Sequence, residues 1–293
     1  MLAGPLHEVE LRRGLIDETG ARHRRAVLRP LSGWQEASLG ASDHALDARA
    51  VHHLLAECIE RLGGYQEVDT QHTAGLSRGD RERLALELRA MMFGDRLLIS
   101  PRCPNPACAE LADIDLSIRD ILSEASDAEP EWLEADTPEG VAQFRPPTGI
   151  DDEVCEAYSG TRQDRIALLW SRLVYRVGDL TPVPPEVWLT LQPATRQVIA
   201  LALAESQKGP DLCFVSRCPS CGAGMELDLD PFALLAREFR LGADRLLVEA
   251  HCLAFHYGWG EDQIFALPRT RRWRYLELLR NQLEGYSLID TWR

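Results

Sequence analysis

Four of the eight cysteines stand in two short motifs with metal-ligand character. Arg102-Cys-Pro-Asn-Pro-Ala-Cys108 carries a four-residue spacer, and Arg217-Cys-Pro-Ser-Cys-Gly222 a two-residue spacer. A proline follows the first cysteine of each, and Gly222 follows Cys221, as suits a tight turn whose backbone N–H groups support thiolates. Two thiolates cannot complete a tetrahedral zinc shell, whereas four can. The pairing therefore predicts one shared Zn2+ site with Cys103, Cys108, Cys218 and Cys221 as ligands. Four thiolates leave no open position, so such a zinc would be structural rather than catalytic. The same pairs could instead be redox dithiols or remnants of a lost site. A redox CxxC, however, opens a helix after a strand, and here alternating strand-like residues follow. Cys58, Cys155, Cys213 and Cys252 have no matched counterparts and are expected to be small buried apolar residues.

The elements that must position these cysteines emerge from an internal duplication. Arg81 to Pro104 and Arg196 to Pro219 align without a gap at an offset of 115, with nine of 24 positions identical. Chance would give roughly one or two identities. Upstream, Leu28-Arg-Pro-Leu-Ser-Gly33 answers Phe144-Arg-Pro-Pro-Thr-Gly149; downstream, Ile114-Asp-Leu116 answers Leu227-Asp-Leu229. Leu84, Leu88, Met91 and Met92 form a helical stripe that Gly94 should end, and Pro193, Ile199, Leu203 and Gly209 repeat the pattern. After each cysteine pair, apolar residues alternate with Asp113 and Asp115, or with Glu226, Asp228 and Asp230. Period two predicts half-buried strands, so the cysteines should sit at the tips of two β-hairpins on a pseudo-twofold axis. Glu124 to Gly140, rich in carboxylates and holding Pro130 and Pro138, reads as an exposed linker with Trp132 and Leu133 pinning its middle.

The 293 residues suffice for a substantial core, and the composition is globular, with 45% hydrophobic and 27% charged residues. A net charge of −14 argues against a general polyanion binder. Lys208 is the sole lysine and Asn105 and Asn281 the sole asparagines, a skew that points to a GC-rich bacterial genome. No run approaches a membrane span and Met1 to Gly20 lacks a signal-peptide core, so a protein made and kept in the bacterial cytoplasm is expected. GxxxxGK[ST], GxSxG, HExxH and GxGxxG are all missing, and the carboxylates fall on strand and linker faces. Neither an enzyme nor a small-molecule substrate is expected.

From Ala243 the pattern is helical: one helix to about Tyr257 capped by Gly258, a short one over Glu261 to Ala266, and a last one after Pro268. His251 and His256 are spaced poorly for a shared metal and read as surface residues, while the adjacent His52 and His53 diverge on a helix. The last helix holds Arg269, Arg271, Arg272, Arg274 and Arg280 against Glu277, which is either a solvated face or a docking surface for an acidic partner. Trp259, Trp273, Tyr275 and Trp292 could anchor an interface.

Three stretches resemble phage-type tail baseplate and tail-assembly proteins of T-even-like phages and contractile injection systems. They are Leu11 to Gly20 with Ala26 to Gly33; Gly79 to Leu84 through Phe93-Gly-Asp-Arg-Leu97 into the cysteine knuckle; and Phe255 to Ile264 through Ala266 to Arg272 and Tyr275 to Leu279. Together they span about half the chain, and none is a catalytic signature. The four-residue spacer of the first knuckle departs from the tighter CxxC. The resemblance implies a structural or chaperone-like assembly role in a contractile tail, with other tail, baseplate or hub proteins as partners and incorporation into the particle as one outcome.

The combined expectation is a mostly helical α+β protein: a first repeat with an N-terminal arm over 1–122, an acidic linker over 123–140, a second repeat over 141–236 and a helical module over 237–293. Partner contacts are expected at Trp259, Arg269, Arg271, Arg272, Trp273, Arg274 and Tyr275. The alternative is a zinc-ribbon regulator that binds nucleic acid through Arg269 to Arg280, which the net charge disfavours.

Overall fold

A computed structural model describes residues 6–41, 46–123, 130–206 and 209–284, which leaves Trp292, Lys208 and residues 124–129 of the expected linker outside. The fold is α+β, with helices outweighing four small antiparallel sheets.

The first half runs β1 (His7–Ile16), β2 (Arg22–Leu28), α1 (Gly33–Gly40), α2 (Ala48–Cys58), β3 (Ile59–Leu62), α3 (Thr70–Ala74), α4 (Arg78–Phe93), β4 (Arg96–Ile99), β5 (Ile114–Ser117) and α5 (Ile118–Leu122). The second half repeats that order: β6 (Leu133–Thr137), β7 (Gly140–Phe144), α6 (Gly149–Ala157), α7 (Arg162–Leu173), β8 (Val174–Val177), α8 (Pro185–Thr190), α9 (Pro193–Ser206), β9 (Cys213–Arg217), β10 (Gly224–Asp228) and α10 (Pro231–Tyr257). Two helices follow, α11 (Glu261–Phe265) and α12 (Arg269–Leu283).

The likeness reaches the backbone. Each half has a three-stranded sheet, β1-β2-β3 or β6-β7-β8, and the pairing of its last two strands slips beside Leu28 in one and beside Phe144 in the other; β1 and β2 slip once more between Glu10 and Leu15. Gly63 and Gly178, 115 residues apart, both take a left-handed conformation just beyond the third strand, with φ of 54° and 55°. Helix starts are fixed by local chemistry. Asp47, Ser77, Thr161 and Asp230 each accept a backbone N–H at the head of α2, α4, α7 and α10, which removes one of the orphan donors of a helix N-terminus. Gly258, at φ 69°, ends α10 in the left-handed turn that glycine adopts at least cost.

The first core packs Val9, Leu11, Ala26 and Leu28 of the sheet against Leu55 of α2, Leu84 and Leu88 of α4, and Leu235 and Phe239 of α10. Burying one such leucine contributes roughly 1.5–3 kcal/mol. The second core sets Ala142, Phe144 and Val177 against Trp188, Ile199 and Leu203.

Two expectations are corrected here. Residues 133–137 of the expected linker form β6, the edge strand that pairs with β7. Leu133, Ala135 and Thr137 alternate with Glu134 and Asp136, so the carboxylates face water while the strand hydrogen-bonds. The boundary at 236/237 falls inside α10, one continuous helix whose Leu235 and Phe239 enter the first core on either side of it. One contact differs between the halves. Ser77 forms an antiparallel bridge with Thr148, whereas Ser32, the counterpart of Thr148, bridges Pro268.

Candidate metal centre

Two hairpins build the site. β4 pairs with β5 in register Arg96–Ser117 to Ile99–Ile114, and β9 with β10 from Cys213–Asp228 to Arg217–Gly224. The cysteines occupy the turns between the strands. Cys103 N–H donates to the Glu110 carbonyl at 2.8 Å and Cys218 N–H to the Ala223 carbonyl at 2.9 Å, which closes each loop. The residue after each second cysteine is left-handed: Ala109 at φ 51° and Gly222 at φ 73°.

The two turns meet face to face. The sulfurs of Cys103, Cys108, Cys218 and Cys221 all lie within 4.8 Å of one another. Across the halves, Cys103 Sγ is 3.6 Å from Cys221 Sγ, and Cys108 Sγ is 3.9 Å from Cys218 Sγ. Zinc–thiolate bonds of about 2.3 Å in a tetrahedron require sulfur–sulfur edges of about 3.8 Å. The spacing fits a metal ion and is far too long for disulfides, about 2.05 Å between sulfurs. Ala112, Ala223 and Met225 pack around the sulfurs; Cys103 and Cys218 are buried, Cys108 is half-buried and Cys221 exposed. A second apolar cluster joins the hairpins, with Leu116 and Ile118 from the first half against Leu212, Phe214 and Leu229 from the second.

The knuckle backbone prepares the thiols unequally. Backbone N–H groups of Cys221 and Ser220 bring Cys218 down to about 7. At Cys103 the Asn105 N–H favours the thiolate, but burial and the neighbouring sulfurs outweigh it, and the thiol is pushed up to about 12. Crowded thiols resist losing four protons together, and a divalent cation among them reverses that preference. Four cysteines therefore stand where they could hold a metal ion.

The other cysteines divide. Cys58 is buried, and burial pushes its thiol up to about 12; Cys155 and Cys252 are half-buried. Cys213 is exposed, against expectation, because it begins β9 on the strand's outward face. His251 and His256 are exposed on α10.

The arginine-rich helix is arranged otherwise than expected. Arg269 and Arg272 are buried, Arg272 completely, and so cannot form an exposed docking surface. Arg272 Nη2 lies 2.8 Å from Glu36 Oε1 of α1, and its Nε 3.0 Å from Glu249 Oε2 of α10. Arg269 Nη1 is 3.4 Å from Glu36 Oε2. Burial pushes the Glu36 carboxyl up, against the opposing charge of Arg272, and pushes the Arg269 guanidinium down. Trp273 is partly exposed; its Nε1 donates to Glu249 Oε1 at 2.5 Å, and its ring lies between Arg245 and Arg269. Trp259 and Tyr275 contact edge to face at 4.7 Å and pin α12 to the end of α10. Arg271 is half-buried; Arg274 is exposed and pairs with Glu277. Sequence reasoning missed Glu36 and Glu249. Glu36 meets its arginines 233 and 236 residues away, and no local spacing signals such a pair.

No helix among the described residues is long and apolar enough to cross a membrane. No protein-family model, curated protein or solved structure matches the chain.

Proposed function

We propose that this chain is a non-enzymatic scaffold or assembly factor, built from two copies of one unit whose hairpins share a structural Zn2+. The observation that carries this reading is the cluster of four sulfurs, one pair from each half, all within 4.8 Å of one another. Thiolates favour zinc over hard cations, and a four-thiolate shell leaves no position for substrate or water. The nine identities in 24 positions and the doubled element order support the duplication. The resemblance of three stretches to baseplate and tail-assembly proteins supplies the setting: a protein made in the bacterial cytoplasm that acts in, or incorporates into, a phage-like contractile tail or injection-system baseplate.

The nucleic-acid reading loses ground on the burial of Arg269 and Arg272, two of the five arginines it needed. The test is a native pull-down of the tagged chain from its own cells, with mass spectrometry of what co-purifies. Recovery of tube, sheath, spike or baseplate subunits is expected. Recovery of polymerase or nucleic acid without tail proteins overturns the proposal.

A further inference from the structure

One contact is made twice inside the chain, and its third instance lacks an occupant. Gly149 N–H at the head of α6 donates to the Leu76 carbonyl at 3.3 Å, and Gly33 N–H at the head of α1 donates to the Leu267 carbonyl at 3.3 Å. Ser77 bridges Thr148 as Pro268 bridges Ser32. A Cβ on Gly149 would lie 3.1 Å from the Ala74 carbonyl oxygen, and one on Gly33 3.1 Å from that of Phe265, so both positions need the close approach that glycine permits. Arg81 pairs with Asp152 as Arg272 pairs with Glu36.

The accepting sides are related in sequence. Thr70 to Phe93, the stretch of α3 and α4, aligns with Glu261 to Glu284, that of α11 and α12, at an offset of 191. Six of 24 positions are identical: Leu76/Leu267, Arg78/Arg269, Arg81/Arg272, Arg83/Arg274, Leu88/Leu279 and Arg89/Arg280. The docking sides also match: Arg29-Pro-Leu-Ser-Gly33 with Glu36, and Arg145-Pro-Pro-Thr-Gly149 with Asp152. Each is a helix start of the form [ST]-G-x-x-[DE].

The second half holds a third accepting side, α8 and α9, in which Leu191, Gln192 and Arg196 stand for Leu76, Ser77 and Arg81. Among the described residues no β-bridge forms at Gln192, whose N–H donates to Glu139 Oε2 at 2.9 Å, and Arg196 makes no ion pair. The neighbouring helix lacks its cover as well. Val51 on α2, which lines the cleft facing Asp152 and Cys155 of α6, is 5% exposed, whereas its counterpart Ile166 on α7 is 44% exposed. Pro193 replaces Arg78 and has no N–H, so this copy offers the Leu191 carbonyl and the Arg196 charge but no adjacent donor.

We infer that the α7–α8–α9 face around Leu191, Gln192 and Arg196 docks a different protein that presents a helix start of the form [ST]-G-x-x-[DE], its glycine N–H on the Leu191 carbonyl and its acidic side chain on Arg196. A second copy of this chain is the poorer occupant, because both of its motifs are already engaged within the fold. The inference rests on the duplication proposed above and is independent of the baseplate setting.

The experiment places a photo-crosslinking amino acid at Gln192 in the full-length chain, in its own cells, and sequences the crosslinked peptide. A peptide from another protein containing [ST]-G-x-x-[DE] is expected, with yield at least tenfold lower in the Arg196→Glu background at unchanged melting temperature. No crosslink, a peptide without the motif, a peptide from this chain itself, or a yield indifferent to Arg196→Glu overturns the inference. A motif-bearing partner that is no tail component sustains it while overturning the baseplate reading; tail proteins recovered without the crosslink do the reverse.

Discussion

Replacing Cys103 by serine should cost about as much stability as replacing Cys218, and replacing both should cost little more than either alone. In the proposed site one ion shared between the hairpins would clip residue 103 to residue 218, closing a loop of 115 residues. In the chain-entropy model a clip of that length stabilises the fold by about 5 kcal/mol. The apolar contacts of Leu116 and Ile118 with Phe214 and Leu229 remain after the metal is lost, so the hairpins still touch, but without the clip the unfolded chain regains its freedom. A loss of roughly 3–5 kcal/mol is expected for each single variant, with a strongly non-additive double variant, the signature of two residues acting on one interaction. The assay is denaturant unfolding with and without chelator, alongside native mass spectrometry of metal per chain. Wild type should carry one ion, and chelator should reduce it to the level of the variants while leaving them unchanged. Two ions per chain, an undiminished metal content in Cys103→Ser, or additive costs near 10 kcal/mol would refute the shared site.

Two further outcomes follow from buried charges. Arg272→Ala leaves Glu36 and Glu249 without their main partner in a dry setting and should cost about 3–5 kcal/mol, whereas Arg272→Met combined with Glu36→Gln should recover much of it, as read by thermal and denaturant unfolding. A full loss in the double variant would mean that the site depends on arginine geometry rather than charge balance. His52 is buried between α2 and α6, its Nδ1 2.6 Å from Glu153 Oε1, and burial holds its imidazole below the usual range. The unfolded chain then binds the proton more readily, so stability is fully present above about pH 6.5 and falls as pH drops through the folded value, by at most about 1.4 kcal/mol per pH unit. His52→Gln should flatten the unfolding free energy between pH 5 and 6.5; an unchanged slope would remove His52 as its source.

The hairpins were legible in the sequence because their signals are local. Alternation with period two and cysteines a few residues apart specify a turn whatever the rest of the chain does. β6 was missed although Leu133, Ala135 and Thr137 alternate correctly, since its outward Glu134 and Asp136 and the flanking Pro130 and Pro138 imitate a linker. An edge strand needs only one apolar face, so its composition resembles that of solvent-exposed chain. The buried arginines were illegible for another reason. Arginine is buried only where carboxylates meet it, and Glu36 arrives from the opposite end of the sequence. One signal did exist: the proposed repeat alignment puts Arg81, Arg196 and Arg272 at one position of three helix pairs, and two of them are paired with acids.

That threefold position explains what the C-terminal helices do. A contact that joins the head of one unit to the side of another is heterologous, and repeated without limit it builds filaments. Here Thr148 of the second half docks on the first half, and Ser32 of the first half docks on α11 and α12, which add no strands and carry no docking helix of their own among the described residues. They therefore close the series at one end, as terminal repeats do in stacked proteins. The buried Glu36, Glu249, Arg269 and Arg272 network locks that closure, which is why its arginines point inward rather than toward a partner. If a partner docks at Leu191 to Arg196 as inferred above, closing the other end would make the chain directional, with one neighbour on the second half and none on the first. The proposed metal clamp would serve the same end. Hinged hairpins would let the second half swing relative to the closed end, whereas a metal ion held by the four cysteines would fix the orientation in which the open face is presented.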